Sequence, residues 1–379
     1  MAITGTALAF VIERLNRMYA DGTPPPVLQP LNTNFATANA LLRENRARIS
    51  PVLIDNQCVA YKVGWQTFAD SDTPDVNGTV ADLTDGCDLT PATVSSTDAA
   101  TYENNIGIEE VISESDNVCG NLFSDTGNSG HARQEDVATL IAGQMAHAMA
   151  KIRYGLNVQA ITFLHSGATP INRDTNLPDE VTFDATLDEF QVSDATLFQN
   201  PDFLTDVDAI VANNRMGDYF FVNGRRAWYN ATVNSQFNRL NDDQRSQIRF
   251  DNYNMYFDIR DLDSTLTGIN SFAVTPGAYA IWNAHYSSPV PRRLSNGSSG
   301  EERWAFTITD PEAVIFQNGR LVPLTYEVIY QRQCGGQRAG QQMYDTHTWK
   351  IVFIGGFKLA PASANTHTGI LHFTGTTGV

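Results

Sequence analysis

Residues 63–132 contain no lysine or arginine but thirteen aspartates and glutamates. No other feature restricts this chain's folding so much. Unopposed carboxylates on a ribbon rich in Ser, Thr, Asn and Gly repel one another, so the segment is expected to stay extended without a core of its own. It needs another surface to lie on. Arg43, Arg46 and Arg48 stand just before it, and basic pairs recur at Arg225/Arg226 and Arg292/Arg293. These arginines, with Asp70, Asp72 and Asp75 at the start of the acidic segment, are expected to meet between copies of the chain as fixed carboxylate pairs.

The rest of the chain is equipped to fold. Its 379 residues, 42% of them apolar, can bury a full core and allow two or three lobes. A net charge of −17 opposes non-specific binding of nucleic acid by the bulk surface, because phosphates are repelled. Lysine is scarce, at Lys62, Lys151, Lys350 and Lys358, so most positive charge is arginine, the side chain suited to bidentate pairing. Cys58, Cys87, Cys119 and Cys334 form neither a disulfide framework nor a paired zinc motif and read as free thiols of a reducing cytoplasm. Glu13, Arg14 and Arg17 interrupt the first apolar stretch, so no secretory leader is expected, and no apolar run is long enough for a membrane span.

Along the chain, helical spacing of Leu8, Val11, Ile12, Leu15, Met18 and Tyr19 predicts a short helix over 7–19, followed by a stop at Asp21-Gly22 and the stiff Pro24-Pro25-Pro26. Residues 27–54 read as an irregular or partly helical arm, helical over 37–48 with arginines at its end and closed by Pro51. VAYKVGWQTF over 59–68 is a strand candidate. Residues 106–112 are its expected returning mate, making a two-stranded excursion with a polar tip. Over 134–156, Val137, Leu140, Ile141, Met145, Ala148, Met149, Ile152 and Leu156 form one apolar stripe on a long helix. Asp136 near its start and Lys151 and Arg153 toward its end fit the helix dipole. Beyond Pro178, helices over 203–213 and 228–241 alternate with strands over 219–222 and 253–259, an α/β lobe. Strands over 278–282, 304–309, 326–332 and 348–357 follow, the last (TWKIVFIGGF) the strongest.

This order resembles the major capsid proteins of tailed bacteriophages with the Hong Kong 97-type fold: a polar arm, a long acidic loop, a long helix, an α/β lobe and a β-rich end. The stretches DVDAIVANNRMGDYFFVNGRRAWYN, YAIWNAHYS and WKIVFIGGFKLAPAS are similar to that family's habits, and the resemblance covers essentially the whole chain. It implies an α+β fold with an N-terminal arm (1–58), an extended acidic E-loop (59–127), a P-domain segment with the spine helix (128–193), an A-domain (194–321) and P-domain strands with a C-terminal segment (322–379). It implies a structural subunit that self-assembles into pentamers and hexamers of an icosahedral head around double-stranded DNA. The implied partners are the chain itself, portal, scaffold or decoration proteins, and the packaged genome through weak non-specific contact. The implied location is the virion, assembled in the host cytoplasm. A long N-terminal scaffolding segment known in some members has no counterpart here.

Asp70, Asp72, Asp75, Asn77 and Asp82 crowd around Gly78, but their spacing is wrong for an EF-hand and reads as a solvated acidic loop. The seven histidines form no HExxH pair, and His147 on the long helix reads as a hydrogen-bonded structural residue. No nucleophile elbow, phosphate loop or dinucleotide fingerprint is present, so neither catalysis nor a cofactor is expected. Lys62 is the lysine nearest the acidic loop, and it lies at the base, where it reads as a strand residue rather than a cross-linking one. The rival reading is an acidic β-rich tail or surface binding module, which the long helix fits poorly. A hydrolase with a divergent site is a further rival.

Overall fold

The computed structural model describes residues 3–21, 35–54, 58–64, 67–68, 94–95, 100–102, 106–116, 130–170, 177–179, 181–193, 203–214, 216–225, 254–266, 268–296, 301–334, 345–360 and 368–376. The fold is mixed α+β. Its axis is α3, Gly130–Gly167, a helix of 38 residues and about 57 Å at roughly 1.5 Å per residue. The stripe predicted over 134–156 continues through Ala160, Ile161 and Leu164, all buried, which carries the helix to Gly167. There a side chain would meet Leu359 at 2.7 Å. Lys151 and Arg153 therefore sit in mid-helix, and their expected dipole role at its end does not hold.

Five strands form a long antiparallel sheet on one side of α3. β13 (Arg292–Asn296), β14 (Glu301–Gln317), β15 (Arg320–Cys334) and β16 (Asp345–Leu359) follow one another as neighbours, and β6 (Ile106–Asp116) closes the far side of β16. β14 and β15 turn at Asn318-Gly319, both with positive φ, the conformation that an Asn-Gly hairpin adopts at little strain. β12 (Tyr279–Ala284) joins β16 on the same side as β15. Asn283 knits that seam: its amide donates to the carbonyls of Thr325 and Ile354 at 3.0 and 3.1 Å and accepts the Thr325 N–H at 2.7 Å.

The second sheet runs β10 (Asn254–Phe257), β9 (Phe220–Asn223), β11 (Ile269–Val274), β17 (Ile370–Thr376), β8 (Glu189–Ser193) and β7 (Val181–Asp184). Both its faces are covered. Phe220, Val222, Phe272, Val274 and Ile370 face the core shared with α3, while Phe221, Ala273, Leu371 and Phe373 face a separate core under α4 (Phe203–Asn213). Burial on both sides explains why these strands read as continuous apolar runs, with no alternation to mark a solvent face. The strands do not sort along the expected domain boundaries. β7 and β8 from 128–193 and β17 from 322–379 share the lobe sheet with strands of 194–321, and β14 of 194–321 belongs to the long sheet.

The N-terminal segment packs α1 (Ile3–Ala20) on α3 through Leu8, Val11 and Leu15, and sets α2 (Ala36–Glu44) between α3 and both sheets. The helix expected over 37–48 stops at Glu44, because Arg48–Ile54 is β1 and pairs with β2 (Cys58–Gly64) in a hairpin with Arg48 opposite Gly64. Pro51 lies inside β1, tolerated on an edge strand where one face of the ladder needs no N–H. The expected mate of β2 is also different. β2 pairs with β1 and β5 (Ala100–Tyr102), whereas β6 pairs with β16, from Asp116 opposite Asp345 to Ile106 opposite Gly355. An eleven-residue ladder against β16 outweighs a local hairpin across a charged loop. The short pair β3 (Thr67–Phe68) and β4 (Val94–Ser95) also forms in this region. The helix expected over 228–241 lies outside the described residues. Among the described residues no helix is long and apolar enough to cross a membrane.

Candidate functional site

Two kinds of site bear on function: the buried polar seam that fixes the N-terminal segment to the body, and the outer surfaces where sequence placed contacts between copies. The seam starts at α2. Asn157 of α3 accepts the Ala38 N–H on Oδ1 at 2.9 Å and donates through Nδ2 to Asp258 Oδ2 at 2.7 Å and Asp261 Oδ2 at 3.3 Å. Thr37 donates to the same Asp258 oxygen at 2.7 Å. One amide thus joins α2, α3 and the loop after β10. Asp258 is fully buried, and a buried carboxylate is tolerable only with such donors. Burial, and then the neighbouring Asp258, raises Asp261 above the ordinary carboxylate range, and burial raises Asp263 as well.

A second knot lies further along α3. Arg153, 3% exposed, donates to Glu312 at 2.5 Å, lies 3.5 Å from Asp310 and stacks 5.5 Å from the Phe35 ring centre. A register break in β14 between Asp310 and Val314, at Pro311, turns Asp310 and Glu312 toward the helix. Tyr326 donates to Asp310 at 3.1 Å. Burial alone would lower the Arg153 pKa, but Asp310 and the Glu312 hydrogen bond outweigh it and raise it. Burial raises Asp310, against the pull of Arg153. Burial also raises Tyr19 at the end of α1, and the nearby Asp310 adds to it.

The arginines expected between copies divide. Arg46 is already engaged within the chain: it pairs with Glu44 at 3.1 Å and covers the Phe316 ring at 4.5 Å, and Glu44 in turn accepts the Tyr256 hydroxyl at 2.8 Å. Arg43 donates to Asn39 at 3.1 Å from the exposed face of α2, and Arg48 is exposed on β1. Arg225 is exposed, with its N–H on Asp263 at 2.9 Å. Arg292 and Arg293 stand exposed on β13, where Arg293 meets Glu302 at 3.5 Å. Arg226, Asp70, Asp72 and Asp75 lie outside the described residues, as do Asn77, Gly78 and Asp82. Sequence reasoning missed Asn157, Asp258 and Asp310. Their one visible signal is a lone polar residue set inside an apolar run, as Asn157 stands beside Leu156.

No group of three or more His, Cys, Asp or Glu side chains among the described residues is arranged to hold a metal ion. His147 differs from expectation, since its Nδ1 is enclosed without a hydrogen-bond partner among the described residues. His372 lies in the lobe sheet, stacked on Phe272 at 4.3 Å and bonded to Asn270 at 3.0 Å. Burial and the nearby His165 pull its pKa down to about 3.

No protein-family model and no curated protein matches the chain. Among solved structures, a chain from Mycobacterium phage Adephagia aligns at 9% identity and TM-score 0.36, covering 93% of this chain and 96% of that one. A chain from the satellite phage P4 procapsid including size determination (Sid) protein aligns at 10% identity and TM-score 0.25, covering 82% of this chain and 89% of the other. Both likenesses are to phage chains, and TM-scores of this size set no fold.

Proposed function

We propose that this chain is the major capsid protein of a tailed-bacteriophage head with the Hong Kong 97-type fold, a structural subunit that needs no turnover. The observation that carries the reading is the arrangement around α3. A helix of 38 residues lies along a long-stranded sheet, an N-terminal segment is fixed across both sheets, and the acidic segment leaves and re-enters between β2 and β6. Such a body presents a frame from which a segment of unopposed carboxylates departs, and that charge opposes a core of its own. Copies that exchange that segment add many weak contacts through symmetry, so closure draws on multivalency more than on any single pair. Exposed ion pairs set register, at no more than about 1 kcal/mol each. The net charge of −17 keeps the inner wall from adhering to packaged DNA. Portal, scaffold or decoration proteins complete the particle, assembled in the host cytoplasm.

Electron microscopy of the purified chain tests the reading. Closed shells or five- and six-fold rings are the expected result, and a chain that stays monomeric at high concentration overturns it. Charge reversal at Arg43 and Arg48 should impair closure while leaving the subunit folded. Arg46 is left out of that variant because its loss would also break its contacts with Glu44 and Phe316.

A further inference from the structure

The long sheet ends in two strands with one partner each among the described residues: β6 pairs with β16, and β13 pairs with β14. The other edge of each is a row of backbone groups able to template a further strand. The two edges differ in sign. β6, IGIEEVISESD, carries Glu109, Glu110, Glu114 and Asp116 and no base, whereas β13, RRLSN, carries Arg292 and Arg293 and no acid. Contacts inside the chain neutralise part of this: Glu109 meets Lys350, Glu110 meets Lys151 at 3.4 Å, and Arg293 meets Glu302. By sequence, Glu114 and Asp116 add further acid to one edge and Arg292 adds further base to the other. Each edge also presents apolar side chains to solvent, Val111 at 54% exposure on β6, and Leu294 at 55% and the preceding Val290 at 72% at β13.

We propose that β13 of one copy pairs with β6 of the next, so that the long sheet continues from subunit to subunit. This rests on the reading of the chain as an assembling subunit and names the surface that joins the copies. Charge that merely guarded the edges against pairing would work with the same sign on both. Opposite signs reject like edges and admit unlike ones, because like charges set across a strand pair destabilise it. A two-fold contact, β6 on β6 or β13 on β13, is thereby disfavoured. The remaining contact is head-to-tail, which closes into rings or runs on as a filament. Its sense follows from the topology. Four antiparallel steps separate β6 from β13, so the two edge strands run the same way, and copies set in one orientation meet through a parallel pair. The lobe sheet's edges, β10 and β7, show no such opposition, since β10 (NMYF) carries no charge.

Two charge-reversed variants test this by mass photometry and electron microscopy in low-salt buffer, with thermal unfolding as the check on folding. Arg292→Glu with Arg293→Glu makes both edges acidic, and Glu114→Lys with Asp116→Lys removes the acidic surplus from β6. Each alone should need at least about tenfold more protein to assemble than the parent chain, a shift of about 1.4 kcal/mol. An equimolar mixture should recover assembly, and only in rings of even number, because identical variants cannot be neighbours. Parent-like assembly of either variant alone overturns the proposal, as does a mixture that stays unassembled. A parent chain that itself never assembles instead overturns the capsid reading. Independently of charge, Val111→Cys and Leu294→Cys chains, each with the four native cysteines replaced by serine, should cross-link when mixed under oxidation. Cross-linked dimers of either one alone would show a two-fold contact and overturn the proposal.

Discussion

The long sheet and the lobe sheet are built from similar strands by opposite routes. β13 to β16 follow one another down the chain as antiparallel neighbours, and only β6 arrives from far away. The lobe sheet gathers strands between residues 181 and 376, and it includes two parallel pairs, β10 with β9 and β17 with β8. The first route closes short loops, and the second closes long ones before any contact compensates for the lost chain entropy. α3 makes one object of the two, since a single core spans its buried face, Trp349 and Ile351 of the long sheet, and Phe272 and Val274 of the lobe. Two sheets of similar burial therefore need not be equally independent. The one made from distant pieces relies on the other for its base.

Truncation of one fully buried ring in each sheet gives the largest expected effect. Trp349→Ala and Phe373→Ala should each cost about 3–5 kcal/mol through the cavity they leave. Hydrogen exchange should separate them: loss of Trp349 should loosen both sheets, whereas loss of Phe373, which faces the core under α4, should loosen the lobe first. Equal loss of protection in both sheets from Phe373→Ala would show that they open as one unit.

Asn157→Ala addresses the joint itself. It strips donors from Asp258 and Asp261 and the acceptor from the Ala38 N–H, for an expected loss of about 2–3 kcal/mol in thermal or denaturant unfolding. Its signature should be uncoupling, with the lobe melting ahead of the long sheet.

The smallest effect concerns pH at that same joint. Asp261 has a folded-state pKa raised by burial and by Asp258, so the folded state takes up its proton before the unfolded chain does. Its ionised form therefore opposes folding near neutrality, and that opposition fades as pH falls through the raised value. Asp261→Asn should stabilise by less than about 1 kcal/mol at neutral pH, and the gain should vanish as melting is repeated toward about pH 4. A gain that grows in acid would reverse the sign assigned to this group.

The two routes also explain what could be read from the sequence. The α3 stripe, the helix Phe203–Asn213 and parts of β12, β14, β15 and β16 were legible, because each depends on spacing within a short window. Three things were not. The partner of β6 lies more than two hundred residues away on β16, and no local pattern points there. The entry of β17 into the lobe sheet is invisible for the same reason. Nor does charge alone show that an arginine already rests on an aromatic ring and a carboxylate of its own chain, as Arg46 does on Phe316 and Glu44. Of the candidate contacts, Arg292 and Arg293 stand where a neighbour can reach them, since a basic pair on an edge strand has water on its outer side.

The place of β17 bears on how a copy is made. It lies between β11 and β8, antiparallel to one and parallel to the other. Until residue 376 emerges from the ribosome, those two flanks frame a groove one strand wide. A chain in which that strand is not yet seated thus displays a receptor shaped for it, and crowded polysomes favour trading the strand between siblings. Folding of each copy well apart from the others is the condition under which this lobe closes on itself.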